Sequence, residues 1–229
     1  MDTRSVIRRI ENGRTDLIHP LLAATDGPAT LRERGKDLLI SCSYYGDVTA
    51  CRLLIAQGLA LSMLGPDLGL NGAAFHGHWP LCEFLIESGA NANCVDPETG
   101  ETPLHSALTN DDRQRYDFVV DVLLRAGANP NVATLPDIET GSFMRDCRTR
   151  GETPLHRAAL FGTRETIEKL LAAGADRERK DARGETPLSY ASWARRATDV
   201  LRPLLYGPHR IHAENQPMRV NLMGKPEGE

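Results

Sequence analysis

Two histidines and a cysteine that lie close together are the first residues in the sequence that could do chemistry. His76 and His78 flank Gly77, and Cys82 follows about one helical turn later. Imidazole nitrogen and thiolate sulfur are ligands that zinc prefers, so this spacing could hold a metal ion. Cys82, however, falls at a core-facing position of an apolar run, and no fourth ligand lies nearby in the sequence. We therefore expect no metal site and no cofactor.

A second group of reactive side chains lies further along the chain, around Cys147. Arg148 and Arg150 follow this cysteine, and a basic, exposed setting would lower the pKa of the thiol and make it reactive. Asp137 and Glu139 could act as paired carboxylates, but general acid–base catalysis needs a fixed geometry that a flexible loop does not supply. The sequence also lacks the G-x-S-x-G, P-loop and H-E-x-x-H motifs. We therefore expect none of these residues to be catalytic.

The helices that must position these residues are indicated by a short string that occurs three times. It reads GETPLH, GETPLH and GETPLS, at 100–105, 151–156 and 184–189. A threonine at the N-cap can accept a hydrogen bond from an early helix N–H, and proline is favoured at the next position. Each copy therefore predicts the start of a helix, at Thr102, Thr153 and Thr186. Such repetition indicates architecture rather than a catalytic loop.

The residues after each string follow a second pattern, in which a glycine separates two helices. After Thr153, the first helix is expected to end at Gly162 in the left-handed conformation, and a second amphipathic run ends at Gly174. The same endings recur upstream, at Gly13, Gly46 and Gly77 for first helices and at Gly58, Gly89 and Gly127 for second helices. The sequence thus predicts six helix pairs, at about 4–24 and then from near Lys36, Leu68, Thr102, Thr153 and Thr186.

This pattern resembles the ankyrin repeat, whose period of about 33 residues and TPLHxA signature match GETPLHRAA at 151–159. The resemblance covers roughly residues 4–207 and is one of pattern alone in the three N-terminal units. It implies an all-α solenoid with two layers of helices and β-hairpin fingers, forming one domain at 1–207. It also implies that His105 and His156 hydrogen-bond to the backbone and tie neighbouring loops. The tail at 208–229 departs from the pattern and is expected to be partly extended or disordered.

The spacing of the strings indicates an insertion. The first two copies start 51 residues apart and the last two start 33 apart, at 100, 151 and 184. Comparison of the two intervals places four extra residues between the helices, within TNDDRQRYD, and 14 in a finger, within VATLPDIETGSFMRDCRTR. Insertions in repeat proteins map to loops and often to the binding face. We therefore expect one enlarged finger at about 132–148.

The resemblance also indicates a binding surface, because in this family the residues before the first-helix glycine face the concave groove. These positions, with the finger tips, predict ten partner-binding residues: Tyr44, Tyr45, Phe75, His76, Asn110, Phe161, Trp193, Arg148, Arg150 and Arg183. Exposed aromatic side chains with arginine at the margin are typical of protein-recognition hot spots. In the alternative interpretation, the rings pack against the next unit and the charges are ordinary solvated loops.

Composition narrows the class of partner. The net charge of −4 over 229 residues does not support nucleic-acid binding. The longest apolar stretches are only a few residues, and the N-terminus lacks a signal-peptide core, so no membrane partner is expected. Five irregularly spaced cysteines favour a reducing cytoplasm over a disulfide framework. We expect a cytoplasmic monomer whose partner is another protein.

Two other functions stay open at this stage. The chain could be an enzyme, or an enzyme-associated protein, with a small-molecule pocket at the inserted finger. It could also be a bacterial toxin-neutralising or host-directed protein. Neither alternative is decided by the sequence, because one repeat architecture serves many functions.

Overall fold

The structure, a computed structural model, describes residues 3–109, 113–140 and 148–206. Twelve α-helices lie in these ranges and form six successive pairs. They are α1 (Thr3–Glu11), α2 (Ile18–Ala23), α3 (Gly27–Tyr44), α4 (Val48–Ala56), α5 (Leu70–Phe75), α6 (Trp79–Glu87), α7 (Pro103–Ser106), α8 (Arg113–Arg125), α9 (Pro154–Phe161), α10 (Arg164–Ala172), α11 (Pro187–Trp193) and α12 (Thr198–Tyr206). The predicted all-α helical repeat architecture is confirmed.

The helices form two layers, because each helix packs on its counterparts in the neighbouring pairs. The first helices contact one another in the order α1, α3, α5, α7, α9 and α11, and the second helices do so from α2 to α12. One leucine recurs at the same position of four first helices and another at the same position of four second helices. These leucines, all fully buried, are Leu39, Leu70, Leu104 and Leu155, and Leu54, Leu85, Leu123 and Leu170. Burial of each such side chain contributes about 1.5–3 kcal/mol.

The Thr-Pro strings begin helices as predicted, but one glycine acts differently from expectation. Gly46 and Gly77 have a φ of 72° each, in the left-handed region. Gly162 instead ends α9 in an extended conformation, with φ −68° and ψ 160°. The reason is that α9 continues up to Phe161, so the N–H of Gly162 still bonds to the Ala158 carbonyl at 2.7 Å. A Cβ here would lie 2.6 Å from that oxygen, so close approach requires the glycine.

The second unit begins earlier than its sequence pattern indicates. The helix α3 starts at Gly27, nine residues before Lys36, and runs for 18 residues. Pro28 lies in its first turn, where proline favours helix initiation. The stretch from Pro28 to Lys36 has no other proline, and Gly35 packs closely against Leu59. A continuous helix therefore replaces the loop expected between the first two units.

The fingers are built from turns, and no strand forms in the described part of the chain. The expected β-hairpin is reduced to a few backbone bonds. Some lie within a finger, such as Asp96 N–H to Glu101 O at 2.8 Å, and others join neighbouring fingers, such as Leu135 N–H to Thr99 O at 2.9 Å. An isolated antiparallel bridge joins residues 139 and 148 in the enlarged finger. These few bonds do not extend into a ladder.

The two parts of the insertion take different structures. The helix α8 has 13 residues, whereas its counterpart α10 has nine. The four extra residues therefore lengthen α8 at its N-terminus, where a loop was expected. In the enlarged finger, Thr149 N–H bonds to Ile138 O at 2.9 Å and Asp137 N–H bonds to Thr149 O at 2.7 Å. Its residues 141–147 lie outside the described ranges.

None of the helices in the described ranges combines the length and the apolar character that crossing a bilayer requires.

Candidate partner-binding surface

The signature histidines join successive repeats, as the resemblance implies. The Nδ1 atom of His105 accepts the Thr102 N–H at 3.1 Å, and its Nε2–H donates to the Glu152 carbonyl of the next repeat at 3.2 Å. His156 makes the equivalent contact with the Glu185 carbonyl at 3.1 Å. Burial, together with the nearby positive charge of Arg157, lowers the pKa of His105 to about 3. The neutral imidazole is therefore a structural link between loops.

A buried ion cluster lies beside these histidines. Arg157 is fully buried, and its guanidinium contacts the carboxylates of Glu101 at 2.6 Å and Glu152 at 2.7 Å. Thr134 and Thr140 of the enlarged finger donate to Glu152 at 2.8 Å and Glu101 at 3.0 Å. Burial alone would raise the pKa of Glu152, but the charge and hydrogen bonds of Arg157 outweigh it and lower that pKa. The cluster thus attaches the finger to two repeats.

Four of the predicted partner-binding residues form an aromatic cluster at the ends of α3 and α5. Tyr44 is 55% exposed and lies edge-on to Tyr45, with ring centroids 5.0 Å apart. The His76 ring lies 4.6 Å from Tyr44 and 5.1 Å from Phe75. The structure therefore brings together side chains from two repeats. We call Tyr44, Tyr45, Phe75 and His76 the N-terminal aromatic cluster.

The backbone beneath these rings is fixed by side chains from the following repeat. His78 Nε2 contacts the Tyr44 carbonyl at 2.9 Å, and the Tyr116 hydroxyl donates to the Phe75 carbonyl at 2.8 Å. Carbonyls at the last turn of a helix have no partner within the helix, so these contacts supply one. The rings are thereby presented from helix ends that are held in place.

Two more predicted residues meet at the other end of the solenoid. The Arg150 guanidinium lies over the Trp193 ring at 5.0 Å, and Trp193 stacks on Tyr190 at 5.1 Å. Arg150 also pairs with Asp181 at 3.0 Å, and the Tyr190 hydroxyl donates to the same carboxylate at 2.9 Å. Trp193 remains 51% exposed, whereas Tyr190 is buried. We call Arg150, Tyr190 and Trp193 the C-terminal aromatic cluster.

The remaining predicted residues lie between or beside the clusters. Phe161, at the end of α9, is half-buried. Arg148 pairs with Glu139 at 2.9 Å, and Arg183 pairs with Asp137 at 3.3 Å, so both finger arginines have partners inside the chain. Asn110 lies outside the described residues. Among the described ring contacts, those of the predicted residues thus fall into two groups, one at the ends of α3 and α5 and one at the end of α11.

Cys82, His76 and His78, which the sequence offered as possible metal ligands, make packing contacts in the structure. Cys82 is buried, which raises the pKa of its thiol to about 12. His76 and His78 lie in ring contact at 5.8 Å. No group of three or more metal-ligating side chains occurs in the residues that the structure describes. Cys147 lies outside them.

The sequence reasoning missed two contributors to this surface. Tyr116 belongs to the helical turn that the insertion adds to α8, and its ring is buried while its hydroxyl reaches the α5 end. Arg157 is a charged residue on the buried side of α9. A charged residue at a core position, with Glu101 and Glu152 before each Thr-Pro, was the available signal for the ion cluster.

Comparison with known proteins agrees with this architecture. One family model, described as ankyrin repeats (many copies), matches residues 73–120, and a second, described as ankyrin repeats (3 copies), matches residues 134–215. The chain belongs to the ankyrin repeat family. Ankyrin repeats are protein–protein interaction modules, so this membership supports a binding role for the chain.

The relatives that the chain resembles carry a variety of names. The chain is 35% identical over 106 residues to rabankyrin-5 of Homo sapiens, covering 45% of the chain and 9% of the relative. It is 36% identical over 106 residues to an intracellular phospholipase A2 of Caenorhabditis elegans, covering 46% and 8%. It is 31% identical over 118 residues to the B-cell lymphoma 3 protein homolog of Mus musculus, covering 52% and 22%. The matched segment is thus a small part of each relative and assigns no activity to this chain.

Proposed function

We propose that this ankyrin repeat protein binds a partner protein along its concave face, through the two aromatic clusters. The observation that carries the proposal is the exposure of Tyr44 and Trp193, each more than half exposed at the end of a first helix. Large aromatic side chains at such exposure lose contact with water when a partner covers them, and they lose little conformational entropy. The N-terminal and C-terminal clusters are the anchors for the two ends of the bound segment.

Charged residues around the C-terminal cluster contribute selectivity. Arg150 is partly exposed while it stacks on Trp193 and pairs with Asp181. Arg148 and Arg183 are more exposed and pair with carboxylates of the enlarged finger. Exposed ion pairs contribute about 0–1 kcal/mol to stability, so they can be exchanged for pairs with a partner at little cost. A partner with acidic groups beside its apolar anchor would form ion pairs with these arginines.

A capture experiment with a matched control tests the proposal. The groove variant carries Tyr44→Ala, Tyr45→Ala and Trp193→Ala. The control variant carries Trp79→Ala and Phe118→Ala, which remove exposed aromatic rings from the second-helix layer, where the two rings lie 5.8 Å apart. Wild-type and variant proteins are immobilised at equal density and exposed to a lysate of the source cells, and bound proteins are quantified by mass spectrometry.

We expect at least one protein to be enriched on wild-type chain and on the control variant and lost from the groove variant. Removal of exposed hot-spot rings typically costs about 2 kcal/mol or more each, so the loss should exceed tenfold. Enrichment that survives the groove variant and disappears with the control variant would place the binding surface on the second helices instead.

We further propose that the protein acts as a monomer in the cytoplasm. Cys42, Cys51, Cys82 and Cys94 are free thiols, and the first three are buried. Buried free thiols in a chain without described disulfides fit a reducing compartment. Sedimentation velocity at micromolar concentration tests the monomer, and fluorescence imaging of a tagged chain in its source cells tests the location.

A further inference from the structure

A cavity of about 290 Å³ lies at the base of the enlarged finger, between α5 and α7. Phe75 of the N-terminal aromatic cluster forms part of its wall, so the cavity opens next to the proposed binding surface. The other residues that line it are Asn71 and Gly72 of α5, Ser106 of α7, Asp96, Thr99 and Glu101 before α7, and Thr140 of the finger. Its volume is close to the lower end of ligand pockets, about 300–1,000 Å³.

The polar groups of this cavity are mainly acceptors. The Asn71 side-chain oxygen is buried and has no hydrogen-bond partner. The Asp96 carboxylate accepts the backbone N–H of Glu98 at 2.8 Å, and Glu101 accepts from Thr140 at 3.0 Å. A buried acceptor without a donor is unfavourable unless a ligand supplies one. Glu101 already pairs with Arg157 through its other carboxylate oxygen. The Asp96 carboxylate and the unpartnered Asn71 amide oxygen beside it therefore favour a ligand that is cationic and rich in N–H donors.

The repeat that follows the cavity contains a cation that is bound by similar acceptor groups. Arg157 directly follows the signature His156, and its buried guanidinium bonds to Glu101 and Glu152. Ser106 directly follows the signature His105 and so occupies the equivalent position one repeat earlier. Its side chain ends in a single hydroxyl group at the cavity wall. A position that carries a buried arginine in one repeat thus carries a small residue at the cavity.

Gly72 occupies the position equivalent to Ser106 and Arg157 in the repeat that precedes Ser106. It lies inside α5, where glycine weakens a helix relative to alanine. A Cβ added at Gly72 would meet no atom within 4 Å, and its φ is not in the left-handed region. Neither packing nor backbone conformation therefore requires glycine here. Its effect is to keep this wall of the cavity open.

We propose that this cavity binds the guanidinium group of an arginine side chain that the partner protein presents. The occupant would take the role that Arg157 plays internally in the following repeat, with Asp96 and the Asn71 oxygen as acceptors. Phe75 supplies a ring face on which a planar guanidinium can stack. The proposal rests on the proposed function, since it gives the chemistry of one residue of the bound protein.

Titration with small probes tests the cavity without any partner. Nα-acetyl-arginine methylamide is added to ¹⁵N-labelled protein, and amide shifts are followed at residues 71–75 and 99–106 and at the Asn71 side chain. The matched probes are the citrulline and lysine analogues and free L-arginine. Citrulline keeps the shape of arginine without its charge, and lysine keeps the charge without the planar fork of donors.

We expect saturable shifts for the blocked arginine with a dissociation constant in about the millimolar range, and binding about tenfold weaker for citrulline and lysine. Free L-arginine should bind more weakly than the blocked form, because its α-carboxylate meets an acidic wall. Ser106→Arg should abolish the shifts by filling the cavity from within, and the uncharged filler Gly72→Leu should do the same. Ala56→Arg, at the exposed end of α4, adds the same charge elsewhere and should leave binding unchanged.

Equal affinity for the three blocked probes, or arginine shifts that persist in both filled variants, would overturn the proposal. Tighter binding of free L-arginine than of the blocked form would show a small-molecule site instead of a protein-binding one. Because these titrations use no partner, their failure leaves the capture experiment on the aromatic clusters unaffected. Failure of that capture experiment with a positive titration would refute the groove proposal alone.

Discussion

The two halves of the solenoid hold their repeats together by different means. In the C-terminal half, polar side chains cross from one repeat to the next: His105, His156 and the fully buried Arg157 bond to loops of neighbouring repeats. In the N-terminal half, α3 and α5 pack mainly through apolar residues, and Gly72 stands at the position of Arg157. The difference teaches that the repeat signature adds buried polar links between loops, whereas repeats without it stack through leucines with isolated polar contacts such as that of His78 with the Tyr44 carbonyl.

The same difference affects the binding surface. The N-terminal aromatic cluster consists of rings from adjacent repeats that contact one another, and its helix ends are held by His78 and Tyr116. In the C-terminal cluster, a finger arginine stacks on Trp193, and a buried carboxylate, Asp181, fixes that arginine. One end of the surface is therefore mainly aromatic, and the other combines an aromatic ring with charge.

The largest expected effect on stability comes from replacing Arg157 by alanine, compared with the same replacement of Gly72, which occupies the equivalent position in the N-terminal half. Arg157→Ala leaves Glu101 and Glu152 buried without their cation, so we expect a loss of about 3–5 kcal/mol in the free energy of unfolding. Gly72→Ala adds a methyl group into open space and improves helix propensity, so we expect no loss and a gain of up to about 1 kcal/mol. Urea denaturation measures both. Equal effects at the two positions would remove the distinction between the halves.

The pH dependence of stability gives a smaller and directional effect. Burial lowers the pKa of His105 to about 3, below its ordinary value of 6.5, so the unfolded chain binds a proton that the folded chain excludes. Stability should therefore fall as the pH decreases from about 6.5 towards 3, by at most about 1.4 kcal/mol per pH unit for this group.

A substitution at His105 separates its contribution to the pH dependence of stability from that of the buried carboxylates, whose protonation also lowers stability in acid. His105→Gln should be less stable than wild type at pH 7 but should show a shallower fall of stability between pH 6.5 and 4. Thermal unfolding across this pH range measures both slopes, and identical slopes for wild type and His105→Gln would contradict the buried neutral imidazole.

The smallest effect concerns the helical turn that the insertion adds to α8. Tyr116→Phe removes only the hydroxyl that donates to the Phe75 carbonyl, so we expect a loss of about 0.5–1.5 kcal/mol and faster amide exchange at 74–78. Tyr45→Phe removes a hydroxyl whose contact with the Glu11 carbonyl is long, at 3.5 Å, and should have little effect. If both variants exchange alike, Tyr116 does not hold the end of α5.

The parts of the fold that follow from short-range chemistry were predictable. Thr-Pro steps set the starts of α7, α9 and α11, because capping and the proline ring act within one turn. The start of α3 was not predictable, because the apolar spacing before Lys36 is weak. In the structure the helix extends over this stretch, where Gly35 packs closely against Leu59. The left-handed ending predicted for Gly162 was wrong, since the conformation depends on where α9 stops.

The candidate site was predictable only in outline. Tyr44, Tyr45, Phe75, His76 and Trp193 lie at helix ends that a repeat register identifies. The division of the rings into two clusters depends on Arg150 reaching Trp193 across a finger, and sequence spacing does not encode that contact. The cavity beside Phe75 was also hidden, because it arises from what Ser106 and Gly72 leave unfilled.

Hydrogen–deuterium exchange of the protein with and without its captured partner tests the central claim most directly. Binding across the aromatic clusters should slow exchange in peptides that contain residues 40–46, 73–78 and 188–194, at the ends of α3, α5 and α11. Peptides that contain residues 79–87 and 118–125, which carry the exposed Trp79 and Phe118, should exchange as in the free protein. Protection confined to those second-helix peptides, with none at the three first-helix ends, would contradict the account.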